Sequence, residues 1–103
     1  MMTQALDKLD DKAIQSALDE RADWDEISGV IRRTYAFDDF VQAMVFVNRI
    51  ADEAERVQHH PDILIRYNKV TLSLSTHDAN GITMKDFAFA DAADKLNEFE
   101  SAN

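Results

Sequence analysis

Two runs of alternating residues, with only Asn68-Lys69 between them, constrain the fold more than any other part of the sequence. Such alternation is typical of strands with one buried face, and a two-residue connection is typical of a tight antiparallel hairpin. The apolar positions of the two runs are Ile63, Ile65 and Tyr67, then Val70, Leu72 and Leu74.

The hairpin brings chemistry-bearing residues together. If Tyr67 pairs with Val70, counting back along both strands places His60 opposite His77, at the open end of the hairpin. Pro61 lacks the backbone donor of a strand ladder, so regular pairing weakens beyond this point. His59 reaches the same end from the preceding helix. These three histidines are the only ones in the chain.

The remaining elements follow from spacing and capping residues. Apolar residues at helical spacing predict helices over about residues 10–20, 40–58 and 84–99. Asp10 or Asp11 can cap the first helix and Asp38 or Asp39 the second. Pro61 ends the second helix, because the residue before a proline is pushed out of the helical region. Residues 27–29 suggest a short strand and a turn, and residues 30–37 alternate as a strand should.

The element order predicts an α+β fold: a four-stranded antiparallel sheet with three helices packed on one face. With 103 residues and 46% hydrophobic composition, we expect residues 1–103 to form a single domain. The only tryptophan, Trp24, is expected in the core, with a pocket wall as the alternative.

The front half of the second helix is more apolar than one buried stripe requires. Val41, Val45 and Phe46 widen its apolar surface, which predicts packing against another subunit. The alternative is a helix that is well buried within its own domain.

Composition excludes several function classes. The chain has no cysteine, so disulfides and thiolate catalysis are excluded. A formal charge of −9 disfavours binding to nucleic-acid phosphates. No cationic, apolar signal segment or membrane-length apolar run is visible, so a cytoplasmic protein is expected.

Three histidines with nearby carboxylates allow several chemistries. A metal site is disfavoured, because adjacent His59 and His60 diverge and no second ligand follows at one-turn spacing. Serine nucleophiles near His77 look like strand residues. General acid/base catalysis suits imidazoles best, since they donate and accept protons near neutral pH. A purely structural His-His-Pro turn is the plainer alternative, as is a role for Asp86 limited to the charge at a helix N-terminus.

One multi-part pattern is more specific than these features taken singly. Glu55-x-x-x-His59-His60-Pro61 is followed by Tyr67, then Thr76-His77, then Gly81-x-Thr83-x-x-Asp86. The pattern closely resembles the signature of the pterin-4a-carbinolamine dehydratases, and the similarity extends over nearly the whole chain.

The resemblance implies that the protein dehydrates 4a-hydroxytetrahydrobiopterin to quinonoid dihydropterin, recycling the pterin cofactor of aromatic amino acid hydroxylases. It implies no metal or redox cofactor. By motif position, the catalytic residues are His59, His60 and His77, with His60 and His77 expected to transfer protons and His59 to orient the pterin. Supporting or substrate-binding residues are Glu55, Pro61, Ser75, Thr76 and Asp86.

The resemblance also implies a homodimer or homotetramer with sheet extension and helix packing. Two other functions stay open from the sequence. One is a non-catalytic dimerisation or interaction module on the same fold, and the other is action on a different pterin, such as one in the molybdopterin pathway.

Overall fold

A computed structural model describes residues 7–102, and the surroundings of side chains in residues 7–98. It contains α1 (Asp11–Asp19), β1 (Asp25–Ile27), β2 (Val30–Ala36), α2 (Phe40–Val57), β3 (Asp62–Arg66), β4 (Lys69–Leu74) and α3 (Met84–Ala102). A short 3₁₀ helix, His77–Ala79, lies between β4 and α3. The predicted order of elements and fold class are confirmed. No helix within residues 7–102 is both long and apolar enough to cross a membrane.

Aspartate caps start the first two helices, as expected. The Asp10 carboxylate accepts the Ala13 amide hydrogen at 2.9 Å, and Asp39 does the same for Gln42 at 2.9 Å. Each bond satisfies an amide that has no partner inside the helix. The chain therefore encodes both helix starts locally.

The four strands form one antiparallel sheet in the order β1-β2-β4-β3. A two-residue turn, Ser28-Gly29, joins β1 to β2, and both turn residues have positive φ. This is the pattern that a type I′ turn requires, and glycine adopts it without steric cost. Because β4 lies between β2 and β3 in the sheet, the connection from β2 to β3 through the long helix α2 must cross over β4.

The second hairpin differs in register from the prediction. Arg66 pairs with Lys69, so the turn residues are Tyr67 and Asn68, not Asn68 and Lys69. Tyr67 occupies the left-handed region at φ 53°, an unusual conformation for a bulky residue. Two hydrogen bonds to Phe37 hold Asn68 in place. The Phe37 backbone amide donates to the Asn68 carbonyl at 2.8 Å, and the Asn68 side-chain amide donates to the Phe37 carbonyl at 2.8 Å. The predicted pairing of Tyr67 with Val70 is therefore wrong: Val70 pairs with Ile65, two residues earlier in the chain.

One sheet face and all three helices share a core. Its buried residues from the strands are Ile31, Tyr35, Val70, Leu72 and Leu74, and those from the helices are Ile14, Ala43, Phe46, Ile50, Ala54, Phe87, Phe89, Ala90 and Ala93. Trp24 is also buried here, which confirms its expected core role. Each large side chain buried in this way stabilises the fold by about 2 kcal/mol.

The extra apolar surface of α2 is smaller than predicted. Phe46 is fully buried, with its ring 4.6 Å from the Tyr35 ring and 5.2 Å from the Phe37 ring between centroids. It belongs to this chain's own core, so its assignment to a subunit contact is wrong. Val41 and Val45, in contrast, are exposed, Val41 by 66%.

A half-buried carboxylate ties α3 to the sheet. Asp94 accepts hydrogen bonds from the Trp24 indole at 3.0 Å, from Arg33 at 2.7 Å and from the Tyr35 hydroxyl at 2.6 Å. Burial, followed by the bond to Asp94, raises the pKa of Tyr35 well above its usual range. The cluster explains why β2 carries arginine on its core-facing side.

Candidate active site

The end of α2 determines where the two adjacent histidines go. Gln58 adopts a left-handed conformation at φ 54°, and the His59 amide donates back to the Ala54 carbonyl at 3.1 Å. These are features of a Schellman motif, which ends the helix at Val57, four residues before Pro61. His59 therefore lies just past the last turn of α2, as predicted. The left-handed conformation at Gln58 turns the chain away from the helix axis before β3 begins.

His59 is buried against the start of α3. Its Nε2 lies 2.6 Å from Oδ1 of Asp86, a carboxylate with no solvent exposure. The other oxygen, Oδ2, accepts from the Thr76 hydroxyl at 2.9 Å and from the Thr83 amide at 2.9 Å. Charge-assisted hydrogen bonds of this length hold an imidazole in one orientation.

Asp86 has two roles at once. Its bond to the Thr83 amide is the reciprocal half of a capping box at the start of α3, which confirms the capping prediction. The Thr83 hydroxyl accepts from the Lys85 amide at 3.2 Å. Helix capping alone is thus an incomplete description of Asp86, because the same carboxylate also binds His59.

His60 lies in a different environment. Its Nε2 is 2.7 Å from Oε2 of Glu55, one turn back on α2, and both side chains are more than half exposed. Pro61, the next residue, is half-buried and leads into β3. The structure thus brings Glu55 and His60 together at the solvent-facing side of the helix end.

His77 is not opposite His60. The observed register of β3 and β4, continued beyond Asp62 paired with Ser73, would set His60 beside Ser75. The prediction based on turn length is therefore wrong, and its cause is the turn at Tyr67-Asn68. His77 begins the 3₁₀ helix and is exposed.

His77 lines a cavity of about 430 Å³ together with two other predicted site residues. Ser75, Thr76 and His77 all line it, and its opposite walls come from the chain before α1, from α1 itself and from the β1–β2 turn. Asp11, Glu26 and Lys8 also line it. The strand sequence alone gave no signal for these charged residues.

Thr76 connects the cavity to the buried pair. It lines the cavity beside His77, and its hydroxyl binds Asp86, which binds His59. His59 itself lines a second, smaller cavity of about 240 Å³ with Val57, Ala88, Phe89 and Ala92. Seven of the eight predicted residues therefore form a buried group around Asp86, an exposed pair at His60 and a cavity wall at His77, and the eighth, Pro61, belongs to none of these groups.

Thr83 is a residue that the predicted site lacked. Its hydroxyl lies 2.7 Å from that of Thr76, and its side chain is fully buried. The spacing of Thr83 and Asp86, typical of a capping box, was the available signal. Among the described residues, no three His, Asp or Glu side chains converge in a way that could hold a metal ion.

A family model described as pterin 4 alpha carbinolamine dehydratase matches residues 7–96. The chain belongs to this family. Relatives provisionally named pterin-4-alpha-carbinolamine dehydratase include a Herpetosiphon aurantiacus protein, 56% identical over 84 residues that make up 82% of this chain and 88% of the relative. A Thermomicrobium roseum protein with the same name is 52% identical, over 81% of this chain and 89% of the relative.

Solved structures agree with this membership. A crystal structure of a transcriptional coactivator/pterin dehydratase from Brucella melitensis has a TM-score of 0.83 and 30% identity, covering 87% of this chain and 98% of that one. A pterin dehydratase-like protein identified as a RuBisCO assembly factor in the alpha-carboxysome has a TM-score of 0.59 at 22% identity, over 71% of this chain and 84% of that one. The second similarity concerns the fold alone.

Proposed function

We propose that this protein dehydrates 4a-hydroxytetrahydrobiopterin to quinonoid dihydropterin by histidine general acid/base catalysis. The observation that carries the proposal is the pair of consecutive histidines, each bound to its own carboxylate: His59 to Asp86 at 2.6 Å and His60 to Glu55 at 2.7 Å. A carboxylate partner orients an imidazole and stabilises its protonated form. Family membership supports the same chemistry.

The reaction needs only proton transfers. A ring-nitrogen lone pair expels the 4a-hydroxyl, the C4a–O bond breaks, and a general acid protonates the departing oxygen so that it leaves as water. A general base then removes one proton from the cationic ring, so the enzyme regains the proton that it gave. Two imidazoles, each able to donate or accept a proton, can perform both steps without a redox change.

Solvent exposure favours a division of work between the histidines. His60 and His77 are exposed and can exchange protons with substrate and water. His59 is buried and bound to Asp86, which suits a residue that orients the pterin. In this proposal the cavity beside His77 receives part of the ring system, and Ser75 and Thr76 contact it.

The first test measures dehydration of chemically generated 4a-hydroxytetrahydropterin by ultraviolet absorbance, with a metal chelator present. The wild type should accelerate the reaction, and His60→Ala and His77→Ala should each lower the turnover number by about 100-fold or more. Lys95→Ala, at an exposed position on α3, is the matched surface control.

Each outcome separates two parts of the proposal. A folded wild type that gives no acceleration would overturn the dehydratase function and leave an interaction module on this fold. An unchanged turnover number in either histidine variant would overturn the division of work. Loss of activity with the chelator would contradict metal-independent catalysis.

The proposal extends to a homodimer or homotetramer that serves an aromatic amino acid hydroxylase in the cytoplasm. Support for self-association comes from exposed apolar side chains on α2 and on the edge strand β3: Phe40, Val41, Val45, Ile63, Leu64 and Ile65. An edge strand with exposed apolar residues favours pairing with a second chain.

Sedimentation analysis tests the helix contact. Val41→Asp should reduce the assembly size, because burying a carboxylate in an apolar interface is costly. Met84→Asp, a second exposed apolar position at the start of α3, should leave it unchanged. A monomeric wild type would overturn the oligomer.

A further inference from the structure

Four side chains form a buried hydrogen-bond chain that ends at His59. Thr83 contacts Thr76 at 2.7 Å between hydroxyl oxygens, Thr76 donates to Oδ2 of Asp86 at 2.9 Å, and Oδ1 of Asp86 lies 2.6 Å from Nε2 of His59. All four residues are buried. Within such a site, each hydrogen must go to one defined acceptor.

The direction of the chain follows from the number of hydrogens available. A hydroxyl has one hydrogen, and the Thr76 hydrogen goes to the Asp86 carboxylate. Thr76 can therefore only accept from Thr83. The Thr83 oxygen in turn accepts from the Lys85 amide, which can only donate. The hydroxyl hydrogens thus point from Thr83 to Thr76 and from Thr76 to Asp86.

The same count places a hydrogen on Nε2 of His59. The Asp86 carboxylate has no hydrogen to give, and Oδ2 already accepts from the Thr76 hydroxyl and the Thr83 amide. The 2.6 Å contact at Oδ1 is a hydrogen bond only if Nε2 of His59 carries the hydrogen. No hydrogen bond within residues 7–98 involves Nδ1 of His59.

We infer that Thr83 is a positioning residue, whose hydroxyl orients Thr76 and Asp86 so that His59 presents an unprotonated Nδ1 to a donor N–H of the substrate. This inference rests on the proposed pterin dehydration and names how His59 orients the pterin. The pterin ring carries N–H donors, and a neutral imidazole nitrogen is an acceptor for them. Thr83 contacts no reacting atom, since it acts through two other side chains.

Capping explains only part of what Thr83 does. An oxygen at this position that accepts from the Lys85 amide is sufficient to cap α3. The additional donation to Thr76 requires a hydroxyl hydrogen, so Thr83→Ser preserves both functions and Thr83→Val preserves neither. Thr71→Val is a matched control, because Thr71 and Thr34 form another hydroxyl pair at 2.7 Å on the exposed sheet face.

The experiment is nitrogen NMR of the histidine side chains in the free protein, together with steady-state kinetics. In the wild type and in Thr83→Ser we expect His59 to carry its hydrogen on Nε2. In Thr83→Val the Asp86 carboxylate still requires a hydrogen on Nε2, so the tautomer should not change, whereas KM for the pterin should rise about tenfold with a smaller change in kcat. Thr71→Val should match the wild type in both measurements.

The wild-type spectrum can overturn the inference by itself, whether or not Thr83→Val folds. An Nδ1–H form of His59 in the wild type would contradict the hydrogen count, and an unchanged KM in folded Thr83→Val would remove the role of Thr83. The tautomer is measured without substrate. An Nε2–H form in a protein without dehydratase activity would therefore overturn the proposed function and its pterin contact, and leave the hydrogen-bond chain intact.

Discussion

His59 and His60 are neighbours in the chain, and each binds a carboxylate at nearly the same distance, yet their surroundings are opposite. The His59 side chain is 10% exposed and Asp86 is fully buried, whereas the His60 and Glu55 side chains are 56% and 73% exposed. A buried hydrogen-bonded pair depends on all its partners, because none can turn to water. An exposed pair competes with water and is weak. Distance alone therefore does not measure the importance of either pair.

The largest effect is expected from removing the buried carboxylate. Asp86→Ala should lower the free energy of unfolding by about 3 kcal/mol, because His59, Thr76 and the Thr83 amide all lose their acceptor inside the protein. Urea denaturation measures it. A loss below about 1 kcal/mol would show that water replaces the carboxylate and that the pair is not truly buried.

A smaller effect is expected at the residue that separates the two environments. Gln58→Val should cost about 1.5 kcal/mol, since a β-branched side chain is strained in the left-handed conformation at φ 54°. Thermal denaturation, compared with Gln58→Gly, measures it. Both variants lose the Gln58 side-chain bond to the Glu55 carbonyl, so equal stabilities would contradict the role of backbone conformation.

A second carboxylate, the half-buried Asp94, extends the comparison to pH. Tyr35→Phe should cost about 1 kcal/mol at neutral pH, through loss of the 2.6 Å bond to Asp94. The folded pKa of Tyr35 is raised, first by burial and then by Asp94. Its contribution is complete below the unfolded pKa of about 10 and is lost as pH rises above it, because only the unfolded chain releases the proton there.

Urea titrations from pH 7 to 11 measure this dependence. The wild type should lose more stability than Tyr35→Phe above about pH 10, so the gap between them should narrow. Parallel curves would contradict the assigned cause, since other alkaline groups are common to both proteins.

The smallest effect is expected at the exposed pair. Glu55→Ala should change the free energy of unfolding by less than about 0.5 kcal/mol, because water replaces the lost contact to His60. The same urea experiment as for Asp86→Ala measures it. A loss above 1 kcal/mol would remove the contrast between the two histidines.

Local signals in the sequence were sufficient for the fold. Asp10 and Asp39 marked the helix starts, and alternation marked the strands. The register of the second hairpin could not be predicted in the same way. Local rules favour a turn at Asn68-Lys69, because that turn avoids placing tyrosine in the left-handed region. Tyr67 nevertheless adopts that conformation, because the backbone and the side chain of Asn68 are both hydrogen-bonded to Phe37. A contact 31 residues away decided a turn of two residues.

The site shows the same limit. The motif selected His59, Asp86 and Thr76, but their mutual contacts depend on how α3 packs against the end of α2, which no short-range spacing determines. Thr83 appeared only as a helix cap, because its contact to Thr76 depends on how the connection between β4 and α3 folds back on itself. Spacing therefore predicted which residues matter better than it predicted how they pair.

The bond from the Trp24 indole to Asp94 has a practical consequence. Trp24 is the only tryptophan, and its N–H reaches a carboxylate on α3 at 3.0 Å. Its fluorescence therefore reports, from a single place, whether α3 is seated on the sheet. Since α3 also carries Asp86, the protein contains an optical probe in contact with the helix that anchors His59, and no label is needed to follow that helix during unfolding.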